Sequence, residues 1–268
     1  MEDLSIYNPE SSDLRKAQLK MLDILIEVAK ICDQNNIPYW LSFGTLLGAV
    51  RHKGFIPWDD DLDIEVERKN YKKLLTLLER ELPPSMTLQY EGNEKHYCFR
   101  YAKVRDRKSF IQEKSSIDFK EKGIFIDIFY REYSTIFLKK IADRLLGGAV
   151  LYSKLSTFKD KREKNYQRLI NSLRIFLSEC FIFLARGISM TLPFNKLFLA
   201  LEIGQTGASG GIDKRYVFPL NEIYFEGFKF KSPHNPDAYL RQIYGDYMKI
   251  PSPENRIVHA TKIEFYNN

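Results

Sequence analysis

The chain has 268 residues, 41 Lys and Arg against 35 Asp and Glu for a net charge of +6, and 44% hydrophobic positions. This composition excludes a disordered, collagenous or coiled-coil chain, and the length allows a large core without disulfide staples. Cys32, Cys98 and Cys180 lack paired spacing and so suggest neither a disulfide framework nor a zinc site, and no basic-then-apolar stretch marks a signal peptide, so a cytoplasmic protein is expected.

Ser11 and Ser12 precede Leu14, Ala17, Met21, Leu25, Val28 and Cys32 at helical spacing, predicting a capped amphipathic helix that stops at Asn35-Asn36. Tyr39 to Phe43 reads as a short strand, which turns through Gly44-Thr45 into a short helix carrying Leu46, Leu47, Ala49 and Val50. Residues 52–60 form a loop. Leu62, Ile64 and Val66 then alternate with Asp61, Asp63 and Glu65, predicting a strand with one acidic face. Helical spacing returns from Arg68 to Leu82 and ends at Pro83-Pro84. Strands are predicted over Met86 to Tyr90 and Tyr97 to Val104, and Gly123 to Phe129 is a nearly continuous apolar strand holding one carboxylate, Asp127.

Residues 136–200 carry twelve Lys and Arg against four Asp and Glu, so this segment holds all of the positive excess. It reads as basic amphipathic helices, either lying on an anionic membrane face or solvated as ordinary domain helices. No run is long enough to span a bilayer, because Ser178, Glu179 and Arg186 interrupt the best one. No aromatic and basic module points to nucleic acid as a partner. From Gly204 onward the chain is loop-rich and aromatic.

Asp61 and Asp63, two apart in a strand, project to one side and can share a divalent cation, which removes their mutual repulsion. Asp127, alone among Ile and Phe, completes a triad from a neighbouring strand or forms a core ion pair with Arg100 or Arg105. A Gly-Thr turn, an acid-x-acid strand and a lone acid in a later strand follow the order of nucleotidyltransferase-fold enzymes.

The stretch containing Gly44-Thr45-Leu46-Leu47-Gly48, Arg51-His52-Lys53-Gly54 and Pro57-Trp58-Asp59-Asp60-Asp61-Leu62-Asp63 closely resembles the signature of the LicD family of phosphocholine transferases. Tyr244-Gly245-Asp246-Tyr247 and Arg256 to His259 are similar to its C-terminal pattern. The resemblance implies an α+β fold, a nucleotidyltransferase-like mixed sheet flanked by helices, with a basic helical insertion. Residues 1–135 would be the catalytic core, 136–203 the insertion, and 204–268 an aromatic-rich segment completing the site. It also implies transfer of phosphocholine from CDP-choline to a sugar hydroxyl of a cell-surface glycan precursor, such as a lipid-linked teichoic acid repeat. CMP would leave in line, with Mg²⁺ or Mn²⁺ as cofactor, at the inner face of the cytoplasmic membrane. Fukutin-related proteins, similar over the same signature, transfer ribitol phosphate, so another CDP-alcohol donor or a nucleotidyl group remains an alternative. A metal-dependent glycosyltransferase is a second one.

On this reading Asp61, Asp63 and Asp127 hold the metal, with Asp127 also available as the base. Gly44 and Thr45 meet the donor's phosphates at a helix N-terminus. Arg51, His52 and Lys53 face the nucleotide phosphates or the transition-state charge. Asp59 and Asp60 orient the ligands. Trp58 with Tyr39 or Trp40 either boxes choline's ammonium or belongs to the core. Tyr247, Arg256 and His259 are candidates for acceptor or nucleotide contacts.

Overall fold

The computed structural model describes residues 4–94, 97, 99–113, 119–142, 165–193, 198–201 and 211–266. Helix α1 (Asp13–Gln34) starts at Ser12, whose Oγ accepts from the Arg15 N–H at 3.1 Å and satisfies a first-turn amide. Its apolar stripe, including Met21, Leu25, Val28 and Cys32, is buried as the spacing predicts. There follow β1 (Tyr39–Leu41), α2 (Phe43–Arg51), β2 (Asp63–Glu67), α3 (Arg68–Glu81), β3 (Met86–Gln89), β4 (Ala102–Asp106), β5 (Ser109–Glu113) and β6 (Phe125–Ser134). Next come α4 (Ile136–Ala142), α5 (Asn165–Thr191), β7 (Phe198–Leu201), α6 (Lys214–Val217), β8 (Asn221–Phe225), β9 (Phe228–Ser232), α7 (Pro236–Tyr244) and β10 (Ala260–Phe265).

The main sheet runs β1-β2-β6-β4-β3, with β7 added to β6. Strands β2 and β6 are parallel and the other pairs antiparallel, so the sheet is mixed and the fold is α+β as expected. Alternation divides the two central strands between two helical layers. Tyr130 faces α3, its ring 4.8 Å from Tyr71. On the other face Arg131 and Glu65 meet Tyr239 of α7, and Phe129 meets Phe43 of α2 at 5.5 Å. Every position of β2 is buried, its acids included. Strands β8 and β9 form a hairpin and β10 pairs with β5, so the C-terminal segment contributes Phe225, Phe230, Tyr239 and Tyr247 to the same core as α1.

Several boundaries differ from the pattern. Strand β2 begins at Asp63, which leaves Asp61 in the preceding loop, and β4 begins at Ala102 rather than Tyr97. Strand β6 continues to Ser134 because Arg131 and Glu132 are ion-paired inside the fold, where polar residues suggest an end. Phe198–Leu201, within the segment read as helical, is a strand; four apolar residues carry no period that separates the two. The C-terminal segment is not loop-rich, since a hairpin, a helix and a strand order it. Cys98 and the basic residues Lys154, Lys159, Lys161, Arg162 and Lys164 lie outside the described residues. Among the described residues no helix is long and apolar enough to cross a membrane.

Candidate active site

The acids converge because two strands and one helix start at the same edge. Parallel register sets Asp63 beside Asp127, and the Asp127 N–H donates to Leu62 O at 2.8 Å. Helix α2 is tied to that rung, since the Asp63 N–H donates to Thr45 Oγ1 at 2.8 Å and the Ser42 N–H to Asp63 O at 3.2 Å. Thr45 is buried, and one lone pair of its hydroxyl positions Asp63. Ser42 precedes α2 but makes no capping bond, and its buried Oγ has no partner among the described residues. A β-carbon at Gly44 would lie 2.8 Å from Asp59 Oδ2; glycine lets that carboxyl approach the start of α2.

Five aspartates crowd this edge, and their protons report the strain. Burial, then the charges of Asp61, Asp127 and Asp59, push Asp63 well above the usual carboxylate range. Burial, then Asp61 and Asp60, do the same to Asp59, which hydrogen-bonds Asp61, while Asp61 is raised by burial and Asp60. Burial pushes Asp127 up to about 6, against the pull of Lys103. The Lys103 ammonium is buried in β4, 2.8 Å from Asp127 Oδ1 and 3.2 Å from Oδ2, and 3.4 Å from the Phe125 ring centre. The ammonium thus contacts both oxygens, Oδ2 as a hydrogen bond and the nearer Oδ1 as an ion pair. Neither Arg100 nor Arg105 is the core partner of Asp127: Arg100 pairs with Glu179, and Arg105 donates to Gln89 and Gly123 O.

Asp60 behaves differently. Burial opposes its charge, yet the His259 ring and the backbone N–H groups of Ala260 and His259 outweigh burial and lower its pKa. Asp60 thus straps the C-terminal segment to the site, with His259 Nδ1 3.1 Å from Asp60 and 4.0 Å from Asp61. The Asp60 hydrogen bond raises the His259 pKa. Arg51 reaches the field of Asp59, donates to Tyr247 O at 2.7 Å and to His52 Nε2 at 2.9 Å. Burial and Arg51 push His52 down to about 4, so its ring accepts from Arg51 as a neutral imidazole.

Other expected contacts lie elsewhere. Trp58 is buried, packs edge-on against Tyr7 at 5.5 Å and has the Arg256 guanidinium 4.7 Å from its ring centre, so it boxes a protein cation. Arg256 also bonds Tyr7 and Pro251 O. Tyr39 and Trp40 are core residues. Tyr247 is buried with its hydroxyl on Asp237 at 2.9 Å, and Lys53 is exposed, its carbonyl accepting from the Glu226 N–H.

Two groups escaped the sequence reading. Lys103 is a lone lysine between Ala102 and Val104, a pattern that marks a buried charge needing a partner. Tyr244 ends α7 partly exposed, and desolvation of its hydroxyl followed by the charges of Asp63, Asp59 and Asp61 raises its pKa, an influence of the acids that Tyr247 of the same motif does not share. Below the aspartates, Glu65 Oε2 accepts from Trp40 Nε1 at 2.8 Å, Arg131 Nε at 2.6 Å and Tyr239 OH at 2.9 Å, which braces β2 against β6.

Among the described residues no three His, Cys, Asp or Glu side chains stand arranged to hold a metal ion, with Asp127 on Lys103 and Asp59 on Asp61. The donor set nevertheless suits a hard divalent cation: all oxygens, from acids that repel one another.

A mixed sheet with acids on adjacent strands beside a helix N-terminus agrees with the nucleotidyltransferase-like fold expected. Residues 36–144 match the family model described as LicD/FKTN/FKRP, nucleotidyltransferase domain. It is 28% identical over 255 residues, 92% of this chain and 95% of the other, to the lipopolysaccharide cholinephosphotransferase LicD of Haemophilus influenzae. It is 40% identical over 76 residues, 28% of this chain, to an uncharacterized protein of Rickettsia prowazekii, covering 29% of that protein.

Proposed function

We propose that this protein transfers phosphocholine from CDP-choline to a sugar hydroxyl of a cell-surface glycan precursor. The acceptor oxygen forms the new P–O bond, the bond to CMP breaks, and the acceptor proton passes to a carboxylate. The observation that carries the reading is the Asp63–Asp127 rung, two buried acids whose repulsion no protein cation fully cancels. Asp127, beside Asp63 on that rung, is the carboxylate available to accept the acceptor's proton. The N-terminus of α2, with Gly44 and the unmatched Ser42 hydroxyl, suits the donor's phosphates. Asp61, Asp63 and Asp127 would hold Mg²⁺ or Mn²⁺, which supplies charge neutralisation for the diphosphate when bound. Calorimetric titration of Mg²⁺ into the wild type and Asp63→Asn tests that holding, and equal heats would remove it.

The acceptor class follows the named relative, a lipopolysaccharide enzyme, with a teichoic-acid-type precursor as the other form of the same chemistry. Offering CDP-choline and CDP-ribitol with lipid-linked glycan extracts decides donor and acceptor together. Mass spectrometry should show phosphocholine on the glycan in step with CMP; ribitol phosphate in its place would overturn the donor.

A lipid-linked acceptor places the enzyme at the inner face of a membrane, and α5 supports that placement. Its Ile182, Ala185 and Ser189 are buried, while Leu169, Leu173, Phe176, Phe183, Leu184 and Met190 are exposed. At 100° per residue these six fall within an arc of about 120° and run about 32 Å along the helix. The surrounding sequence is basic, which complements an anionic surface. Flotation with phosphatidylglycerol vesicles should be lost in Phe176→Glu/Phe183→Glu; unchanged flotation would remove this placement.

A further inference from the structure

Trp58, Tyr39 and Trp40 leave no ring open for an ammonium, yet half-buried rings lie beside the acids. Phe43 opens α2 with φ +44°, a left-handed conformation that is strained for phenylalanine and so held by its surroundings. Its ring meets Phe129 at 5.5 Å, Phe129 meets Tyr101 at 4.5 Å, and Tyr101 stacks on Phe99 at 5.0 Å with 24° between planes. All four are half-buried, where the core rings Tyr39, Trp40 and Phe125 are fully enclosed. Phe129 is two residues from Asp127 within β6, so strand alternation puts its ring on the face that carries the acids, and Tyr101 joins that face through its contact with Phe129. Phe43 is the neighbour of Gly44, where α2 begins.

We propose that Phe43, Phe129, Tyr101 and Phe99 form the wall that receives the quaternary ammonium of the donor. The claim rests on the donor reading above and deepens it. A trimethylated ammonium cannot donate hydrogen bonds, so a site recognises it through the negative faces of aromatic rings and nearby carboxylates. Both are present on one side of the sheet. In choline phosphate a two-carbon bridge separates ammonium from phosphate, so the rings must adjoin the phosphate site, as Phe43 adjoins the α2 N-terminus. Two protein cations already lie near the wall, Lys103 at 5.5 Å from the Tyr101 ring centre and Arg131 at 5.7 Å from Phe43. Both are buried, Lys103 in β4 and Arg131 in β6. Ribitol, an uncharged polyol, would gain nothing from the wall.

The experiment measures the affinity of the full chain for CDP-choline, CDP-ribitol and CMP by calorimetry. Tyr101→Leu and Phe129→Leu should each weaken CDP-choline about tenfold, leave CMP and CDP-ribitol unchanged, and be rescued at 101 by Tyr101→Phe. Should all three ligands weaken equally, or CDP-choline bind as before, the wall is overturned while the donor reading stands. A wild type that binds CDP-ribitol as tightly as CDP-choline overturns the donor reading and the wall with it. Tyr101 lies outside any strand, so its variants keep the test decisive if Phe129→Leu fails to fold.

Discussion

Two neighbouring levels of the same pair of strands treat negative charge in opposite ways. At the first, Asp63 faces Asp127 with Asp59 and Asp61 close by, and the acids hold their protons above the usual range. One level further in, Glu65 is met by Arg131, Trp40 and Tyr239, and the Arg131 guanidinium, entirely buried, is held firmly charged by it. The sheet, the burial and the acid type are alike, so the difference is the counter-charge. Where the fold needs an acid it supplies a guanidinium; where it leaves acids short of one, something from outside completes the balance.

The comparison breaks most visibly at the upper level. Asp63→Asn is expected to reduce transfer about a thousandfold. Relieving the repulsion should leave the melting temperature unchanged or raise it by about 2–4 °C, the equivalent of about 1 kcal/mol in a chain of this size. A fall in melting temperature that parallels the activity would show the acid to be structural.

At the lower level the outcome inverts. Arg131→Met leaves Glu65 without its cation and should cost about 3–5 kcal/mol of stability, read from the urea midpoint. A midpoint close to wild type would mean that Trp40 and Tyr239 suffice to hold that charge.

Lys103 joins the levels. Asp127 holds its proton more tightly in the folded chain, at about 6, than an unfolded aspartate does at about 3.9, so the folded state loses stability as pH rises through that window. Lys103→Met removes the charge that favours the carboxylate, and both this loss and the acid limb of the pH–rate profile should move alkaline. At neutral pH the rate should drop about tenfold and recover in more alkaline buffer. A limb that stays in place would show that another group titrates there.

The smallest effect belongs to Trp58, whose ring Arg256 already occupies. Trp58→Phe should alter KM for CDP-choline by less than about twofold. A larger change would return Trp58 to the donor site.

Local order was legible in the sequence. Ser12 and the apolar spacing behind it specify α1, and the alternation after Asp61 specifies β2 to within two residues, because capping and side-chain periodicity act over a few positions. Asp63 and Asp127 stood out as acids in apolar strands, since a carboxylate there needs a reason. Partner choice was not legible. Lys103, between Arg100 and Arg105, pairs with Asp127 because antiparallel register sets residue 103 opposite residue 127. Trp58 meets Arg256, Asp60 meets His259, and Phe43 meets Phe129 and through it Tyr101, across separations in sequence that only chain closure brings within contact. Periodicity says which side of an element is apolar; it carries no information on which distant charge or ring will lie against it, and that selection falls to register and packing.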